Sequence, residues 1–453
     1  MPLNVLIIVL KAAAPSEHVR NAINASMRQL LQADDHWEIG GVERVGDANG
    51  WDLAVVWDPV GWHAAARPLA ETRIPCFAMT HRLVFHPYFA AFMREVDERG
   101  GRLLPAGEPG EIAASIDAVR AAQSLSETRL LVIDDNEGNE RAEQVARFSR
   151  NSRERLGVEI ERRPVAELLD LAAKQPVAAV EEEWRRWLDR LLVDAGEMSI
   201  EHMMQVVRLY LAERQMLSDC GAHGVTVDDI GAFLLAKANR VMPNVTYGLL
   251  ASDGFLACEE GDIEVLTTEA ILRAGLGAHP AMSNIYMAYR DELANLEPGA
   301  HYTADLERKD FLQCLADNHL VASHFSTAGV LPPNMMREER YRVVETLPSW
   351  PGQCMTSSTP RQGPVVLGRL APDASRVHLV SGEVDECHND ERISWYRGRW
   401  MIRVPSAKGF TENCLHHHYA IGPENGRSAV LDTLTGRILG LGRFDAGNFR
   451  AGG

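Results

Sequence analysis

Four places in the second half of this sequence hold side chains suited to a hard divalent cation. Glu260 stands in Ala257-Cys258-Glu259-Glu260-Gly261-Asp262-Ile263, Asn284 in Met282-Ser283-Asn284-Ile285-Tyr286, and His324 in Ala322-Ser323-His324-Phe325-Ser326. The fourth is His416-His417-His418, followed by Tyr419-Ala420. An ion such as Mn²⁺ or Mg²⁺ takes carboxylate, amide or imidazole ligands and leaves positions open for substrate oxygens. Each place also has a plainer reading. Glu259, Glu260 and Asp262 form an acid cluster of the kind that favours a helix N-terminus through the macrodipole. A lone histidine such as His324 is commonly a hydrogen-bonded structural residue, and an asparagine such as Asn284 a turn residue. The three adjacent imidazoles are the strongest single signal, because in a Pro/Gly-rich stretch they serve packing poorly. His417, Tyr286 and, far upstream, Trp57 are the candidate substrate contacts.

The elements that must position these residues follow from periodicity. The acid stretch comes after an apolar run, Val245 to Leu250, and a turn, Ser252-Asp253-Gly254. It opens a segment with Ile263, Leu266, Thr267, Ala270 and Ile271 on one helical face. Glu259 and Glu260 are therefore expected where a strand ends and a helix begins, at the carboxyl edge where open α/β sheets place their ligands. Upstream, strand and helix patterns alternate. Leu3 to Leu10 reads as a buried strand, Ser16 can cap a helix to about Gln32, and Leu53 to Trp57 and Cys76 to Met79 read as further strands. No Gly-rich phosphate loop accompanies them, which argues against a nucleotide site. Trp57, Trp62 and His63 sit where they can contact a ligand or simply pack.

A second α/β unit begins near Ser124. Arg129 to Asp135 reads as a strand ending in two acids, followed by a helix from about Asn139 to Leu156 and a strand from Val158 to Glu161. This opening resembles a response-regulator receiver domain. No later strand ends in a lone phosphorylatable Asp with that family's Met-Pro and Gly signals, so Asp134 and Asp135 are read as solvated strand-end acids, with sugar contact as the alternative. Helical patterns follow over Glu181 to Ala195 and Ser199 to Cys220, then a strand over Gly224 to Val227. Beyond about Pro280 Pro and Gly become frequent, and short strands appear over Val365 to Leu370, Val377 to Ser381 and Arg399 to Val404. The expected fold class is α/β: two doubly wound Rossmann-like α/β domains, 1–122 and 123–280, followed by a β-rich barrel-like C-terminal domain, 281–453.

Composition narrows the function classes. At 453 residues the chain is long enough for roughly three domains. With 46% hydrophobic and 24% charged residues it reads as a soluble globular protein. A net charge of −17 argues against nucleic acid or an anionic membrane as partner, since both need a basic face. A neutral small substrate is compatible with it, and a phosphorylated one is weakly disfavoured. The apolar run Val5 to Leu10 is far shorter than the ~20 residues of a membrane span and lacks a basic leader, so no signal peptide is expected. The seven cysteines are scattered without a C-x-x-C pair, which suits a reduced, cytoplasmic setting.

Taken together and in order, these motifs resemble the metal-dependent ketol isomerases of the L-fucose isomerase and L-arabinose isomerase superfamily. The resemblance runs from about Ala118 to the C-terminus. Ala118 to Ala122 with the Leu130 to Asp134 strand is similar to the start of the family's second domain, and Glu181 to Leu192 with Leu209-Tyr210 to its helical pair. Asp253-Gly254 leading to Glu260-Gly261-Asp262 resembles the family's Asn-Asp-x-Gly and Cys-Glu-x-Asp stretches. Gly363 to Leu370 with Ser381-Gly382-Glu383 resembles a C-terminal strand pair, and His417-His418-Tyr419-Ala420 its terminal His-His motif. The resemblance implies aldose–ketose isomerisation of a sugar or sugar-like polyol through an ene-diol, with Mn²⁺ or another divalent ion and assembly as a homo-oligomer, commonly a hexamer. It implies that Glu260 and His418 are metal ligands, that His324 contacts substrate or metal, and that Asn284 takes the place of a second acidic ligand. That last position departs from the family, because an amide oxygen can coordinate a metal but cannot accept a proton as a base. Glu259 and Glu260 are both open as the ligand, with the distance from Gly254 favouring Glu260. A different metal-dependent reaction through an enediolate, such as epimerisation, dehydration or carbon–carbon cleavage, and a non-catalytic sugar-binding role are the alternatives.

Overall fold

Short apolar runs form parallel strands, and the amphipathic stretches between them form helices. The computed structural model describes residues 2–9, 15–46, 50–57, 63–79, 87–106, 108–135, 140–193, 200–228, 243–285, 317–323, 331–337, 339–347, 350–388, 399–412, 414 and 418–443. The chain divides into two units, Met1–Ser126 with Gly426–Leu441, and Glu127–Asn425 with Gly442–Gly453.

The first unit contains β1 (Asn4–Val9), α1 (Glu17–Leu30), β2 (His36–Gly40), β3 (Leu53–Trp57), α2 (His63–Thr72), β4 (Cys76–Met79), α3 (Pro87–Glu98) and α4 (Pro109–Ser126). Its strands pair in the order β2-β1-β3-β4, every pair parallel. Ser16 Oγ accepts from Val19 N and caps α1, as its place before the helical pattern predicts. Leu6, Ile8, Ala54, Val56, Phe92 and Val96 are buried together as its core. Arg427, just ahead of the short helix Ser428–Asp432, pairs with Asp117 of α4 at 3.1 Å.

The second unit opens with β5 (Arg129–Ile133), α5 (Glu140–Leu156), β6 (Glu159–Arg163), α6 (Val165–Lys174), α7 (Val177–Leu188), β7 (Leu191–Val193), α8 (Ile200–Cys220), β8 (Gly224–Val227), α9 (Asn244–Ser252), β9 (Leu256–Cys258) and α10 (Ile263–Leu276). Its first sheet runs β6-β5-β8-β9, again all parallel. Two local expectations are corrected here. The apolar run Val245 to Leu250 lies within the helix α9, and the strand before the acids is the three-residue β9. The helix expected over Glu181 to Ala195 ends at Leu188, and Leu191–Val193 pairs in parallel with a later strand. A continuous apolar run does not distinguish a buried strand from a buried helix, and α9 is buried nearly all round.

After α10 come β10 (Ala281–Ile285), β11 (His319–Ser323), β12 (Tyr341–Leu347), β13 (Trp350–Ser357), β14 (Gly363–Leu370), β15 (Arg376–His388), β16 (Arg399–Arg403), β17 (His418–Pro423) and β18 (Gly442–Arg443). Six antiparallel strands, β14-β17-β10-β11-β16-β15, close through the β14–β15 pair into a barrel. β13, β12 and β7 form a separate three-stranded sheet. The helix α10 packs against β17 and β14, and two glycines permit the close approach. A Cβ at Gly368 would stand 3.0 Å from Thr268 Cγ2, and one at Gly422 would stand 2.8 Å from Leu276 Cδ1. Because α10 packs against both β9 and the barrel strands, its N-terminus is where their side chains meet. Among the described residues, no helix is long and apolar enough to cross a membrane.

Candidate metal centre

The connection from β9 to α10 is sharply bent. Glu260 and Gly261 both take left-handed backbone angles, with φ of 62° and 63°. Gly261 N donates to Val227 O at 2.8 Å, so the turn is tied to the end of β8. Asp262 then caps α10, its Oδ1 accepting from Val265 N at 3.0 Å. Glycine adopts this conformation freely, whereas for Glu260 it costs about 1–3 kcal/mol, strain of the kind that concentrates at functional turns.

This bend sends the acids in different directions. The Glu259 side chain is buried and its Oε1 accepts from Asn244 Nδ2 at 3.3 Å. Glu260 Oε2 lies 3.2 Å from His418 Nε2. Asp262 Oδ2 accepts from His418 Nδ1 at 2.8 Å and also from Arg369 Nη1 at 2.6 Å. Arg369 Nη2 stands 3.9 Å from Glu264 Oε2, and its Nη1 donates to His418 O at 3.2 Å. Of the acidic doublet it is thus Glu260 that meets the histidine.

From the barrel side, Asn284 of β10 pairs directly with His418 of β17, so their side chains project from the same face. Both are buried. Asn284 Oδ1 has no hydrogen-bond partner among the described residues. A buried amide oxygen left in that state costs about 1–3 kcal/mol, which a cation or a substrate hydroxyl at that position would offset.

Charge is concentrated here in a low-dielectric setting. Burial pushes the Asp262 carboxyl up, but the Arg369 charge and the His418 hydrogen bond outweigh it and hold that acid well below the usual range. Burial likewise disfavours the His418 imidazolium, yet Asp262 and Glu260 together raise its pKa above the ordinary value. Glu264 is raised, first by burial and then by Asp262. Burial, and after it Asp262, holds the Glu269 carboxyl well above its usual value. The Cys258 thiol, raised by burial and then by Glu269, lies 3.1 Å from Met282 Sδ.

A carboxylate oxygen, an imidazole nitrogen and an orphaned amide oxygen form a donor set that fits a hard divalent ion. The Nδ1–Asp262 hydrogen bond directs Nε2 toward Glu260, the outer carboxylate arrangement that orients metal-binding histidines. Among the described residues, no three His, Cys, Asp or Glu side chains gather as a metal cluster, so the set needs the Asn284 amide.

The other sequence candidates are placed as follows. Trp57 ends β3 in the first unit and is 2% exposed. Tyr286, His324, His416 and His417 lie outside the described residues, as do Trp62 and the His63 side chain. Asp134 is corrected from a solvated acid to a buried one hydrogen-bonded to Arg162 Nε. Asp135 is exposed, and its Oδ1 accepts from Val165 N at 2.9 Å at the start of α6. The partnership of Asp262 and Arg369 was missed by sequence reasoning. Its signals are an N-cap acid two residues after Glu260 and a lone cation in the apolar run Val365 to Leu370. A cleft of about 390 Å³ lined by Arg129, Arg150, Arg153, Cys220 and neighbouring residues contains none of these site residues.

No protein-family model matches the chain, and no curated protein matches it. Among solved structures, a crystal structure assigned as a two-component system response regulator/GGDEF domain protein is similar at 14% identity with a TM-score of 0.23. That likeness covers 52% of this chain and 90% of the other, and at this score it carries no argument about fold or function.

Proposed function

We propose that this chain is a divergent relative of the L-fucose and L-arabinose isomerases, a metal-dependent enzyme acting on a sugar or sugar-like polyol. In this reading its two parallel sheets are doubly wound, Rossmann-like units and the barrel closes the site. The observation that carries the proposal is the meeting of Glu260 with His418, residues far apart in sequence, backed by Asp262 and flanked by Asn284. Glu260, His418 and the Asn284 amide would hold Mn²⁺ or Mg²⁺. When bound, the ion polarises the substrate's carbonyl and adjacent hydroxyl oxygens.

The chain's own residues do the rest. Glu260, at a 20% exposed side chain, is the carboxylate available to move a proton between C1 and C2 of an ene-diol. Asp262 with Arg369 fixes the His418 ring. Asn284 offers an acceptor to a substrate hydroxyl but no base, so the two-carboxylate arrangement is reduced to one. His324 remains the proposed proton shuttle, and His417 and Tyr286 the proposed substrate contacts. The assembly proposed with this reading is a homo-oligomer.

The amide at position 284 also supports a second reading, a sugar-binding protein without turnover. Incubating the Mn²⁺-loaded protein with a panel of aldoses in deuterated water separates the two. Isomerisation requires deuterium at C2 of the recovered aldose and at C1 of the ketose product, with loss of both in Glu260→Gln. Full exchange in that variant would remove Glu260 from its role. Binding without exchange would favour the second reading.

A further inference from the structure

Arg141 lies on the first turn of α5 and takes no part in the site as described so far. Its Nη2 donates to Gly261 O at 2.9 Å, which seats the guanidinium against the turn that carries Glu260. That carbonyl is its hydrogen-bond partner, and among the described residues no carboxylate lies within ion-pair distance of it. The nearby acids are engaged elsewhere, Asp134 with Arg162 and Asp262 with Arg369. Glu264 lies within electrostatic reach of Arg141 but makes its close approach to Arg369, at 3.9 Å. A guanidinium has five N–H donors, and among the described residues Gly261 O is the acceptor that Arg141 meets. The side chain is half-buried, where an unpaired charge is costly. The 17-residue helix α5 adds the positive potential of its N-terminus at the same place.

We propose that Arg141 recognises an anionic terminus, a carboxylate or a phosphate, on the substrate, so that the site prefers acidic sugar derivatives over neutral sugars. This rests on the proposed reading of Glu260 and His418 as the substrate-holding centre. Planar guanidinium groups suit both anions through paired N–H···O bonds. The carboxyl edge carries Asp134, Asp228, Glu259 and Glu260 at or just beyond its strand ends, and the cations that end β6, Arg162 and Arg163, are paired with Asp134 and Glu161. Arg141, with no carboxylate at ion-pair distance among the described residues, is a cation that can receive an anion there.

The test is calorimetric binding of D-glucose, D-gluconate, D-glucose 6-phosphate and inorganic phosphate to the full chain loaded with Mn²⁺, with metal content measured alongside. Wild type is expected to bind gluconate or the sugar phosphate roughly tenfold or more tighter than glucose. Which of the two wins identifies the anion. Arg141→Gln is expected to erase that preference, bringing the affinity for both anions down to the glucose affinity measured on the same variant. Arg150→Gln, at an exposed arginine on the same helix, is expected to leave the preference intact. Equal binding of glucose and both anions, a preference that survives Arg141→Gln, or no binding of any probe would overturn the proposal. If wild type retains no metal, the isomerase-like reading fails separately. The Arg141 proposal then stands on phosphate binding that Arg141→Gln removes, and falls without it.

Discussion

Asp262→Asn isolates one charge in the candidate centre. The Asp262 and Arg369 side chains are each 6% exposed and meet at 2.6 Å, so solvent screens the pair little. Asparagine keeps the N-cap, since it serves that position as well as aspartate. What disappears is the negative charge, and Arg369 is left with Glu264 at 3.9 Å. Removing one partner of a buried pair costs about 3–5 kcal/mol. Because Glu264 takes up part of the charge, the expected loss is near the lower end, about 3 kcal/mol. The amide also presents an N–H₂ group where Asp262 Oδ2 now accepts from two donors, so His418 loses its fixed orientation. Metal affinity should then fall roughly 10–100-fold. Urea unfolding of Asp262→Asn, Arg369→Met and the double variant measures the stability term, and Mn²⁺ titration the second. The double variant should cost less than the sum of the single ones by at least about 2 kcal/mol. A single-variant loss below about 1 kcal/mol, or additive losses, would refute the argument that this pair is a coupled buried unit.

Glu213, fully buried on α8, has its carboxyl pushed up to about 8 by burial, against a smaller lowering by Thr246. The native state keeps that proton through neutral pH while the unfolded chain releases it near 4.5. Its contribution is therefore fully present below the unfolded value and is lost as pH rises toward about 8, a swing on the order of 5 kcal/mol. Glu213→Gln should flatten the melting temperature between pH 5 and 8, and parallel wild-type and variant curves would contradict this. Gly368→Val should cost about 1–3 kcal/mol by crowding Thr268 and Leu379. It should also weaken Mn²⁺ binding, because α10 carries the Asp262 cap, and an unchanged stability would show that the helix has room there.

The regular parts of the fold were legible where one signal dominates. Ser16 before a periodic stretch marked the start of α1, and the runs Leu53 to Trp57 and Cys76 to Met79 have the bounds of β3 and β4. The short strands read in the last third belong to the barrel, as β14, β15 and β16. Long-range closure was not legible, because no local pattern states that β14 pairs with both β15 and β17. Val245 to Leu250 misled because tertiary burial removes the polar face that would reveal a helix. At the candidate centre, residue types suggested Glu260, Asn284, His324 and the His416–His418 run, the family resemblance singled out Glu260 and His418, and the fold brings Glu260 to His418 and Asn284 beside it. Burial of Asp134 against Arg162 depended on a neighbouring strand, as did the Asp262–Arg369 pair. Such partnerships are set by topology and leave no mark at fixed sequence spacing.

Metal content is the most direct test of the central claim. Purified wild-type protein reconstituted with Mn²⁺ and passed through a desalting column should retain about one ion per chain by mass spectrometry. Glu260→Gln and His418→Ala should lose it while keeping a cooperative unfolding transition, and Asn284→Asp should hold it more tightly by restoring a negative ligand. Wild type that retains no ion, or a His418→Ala variant that retains it as wild type does, would contradict the account.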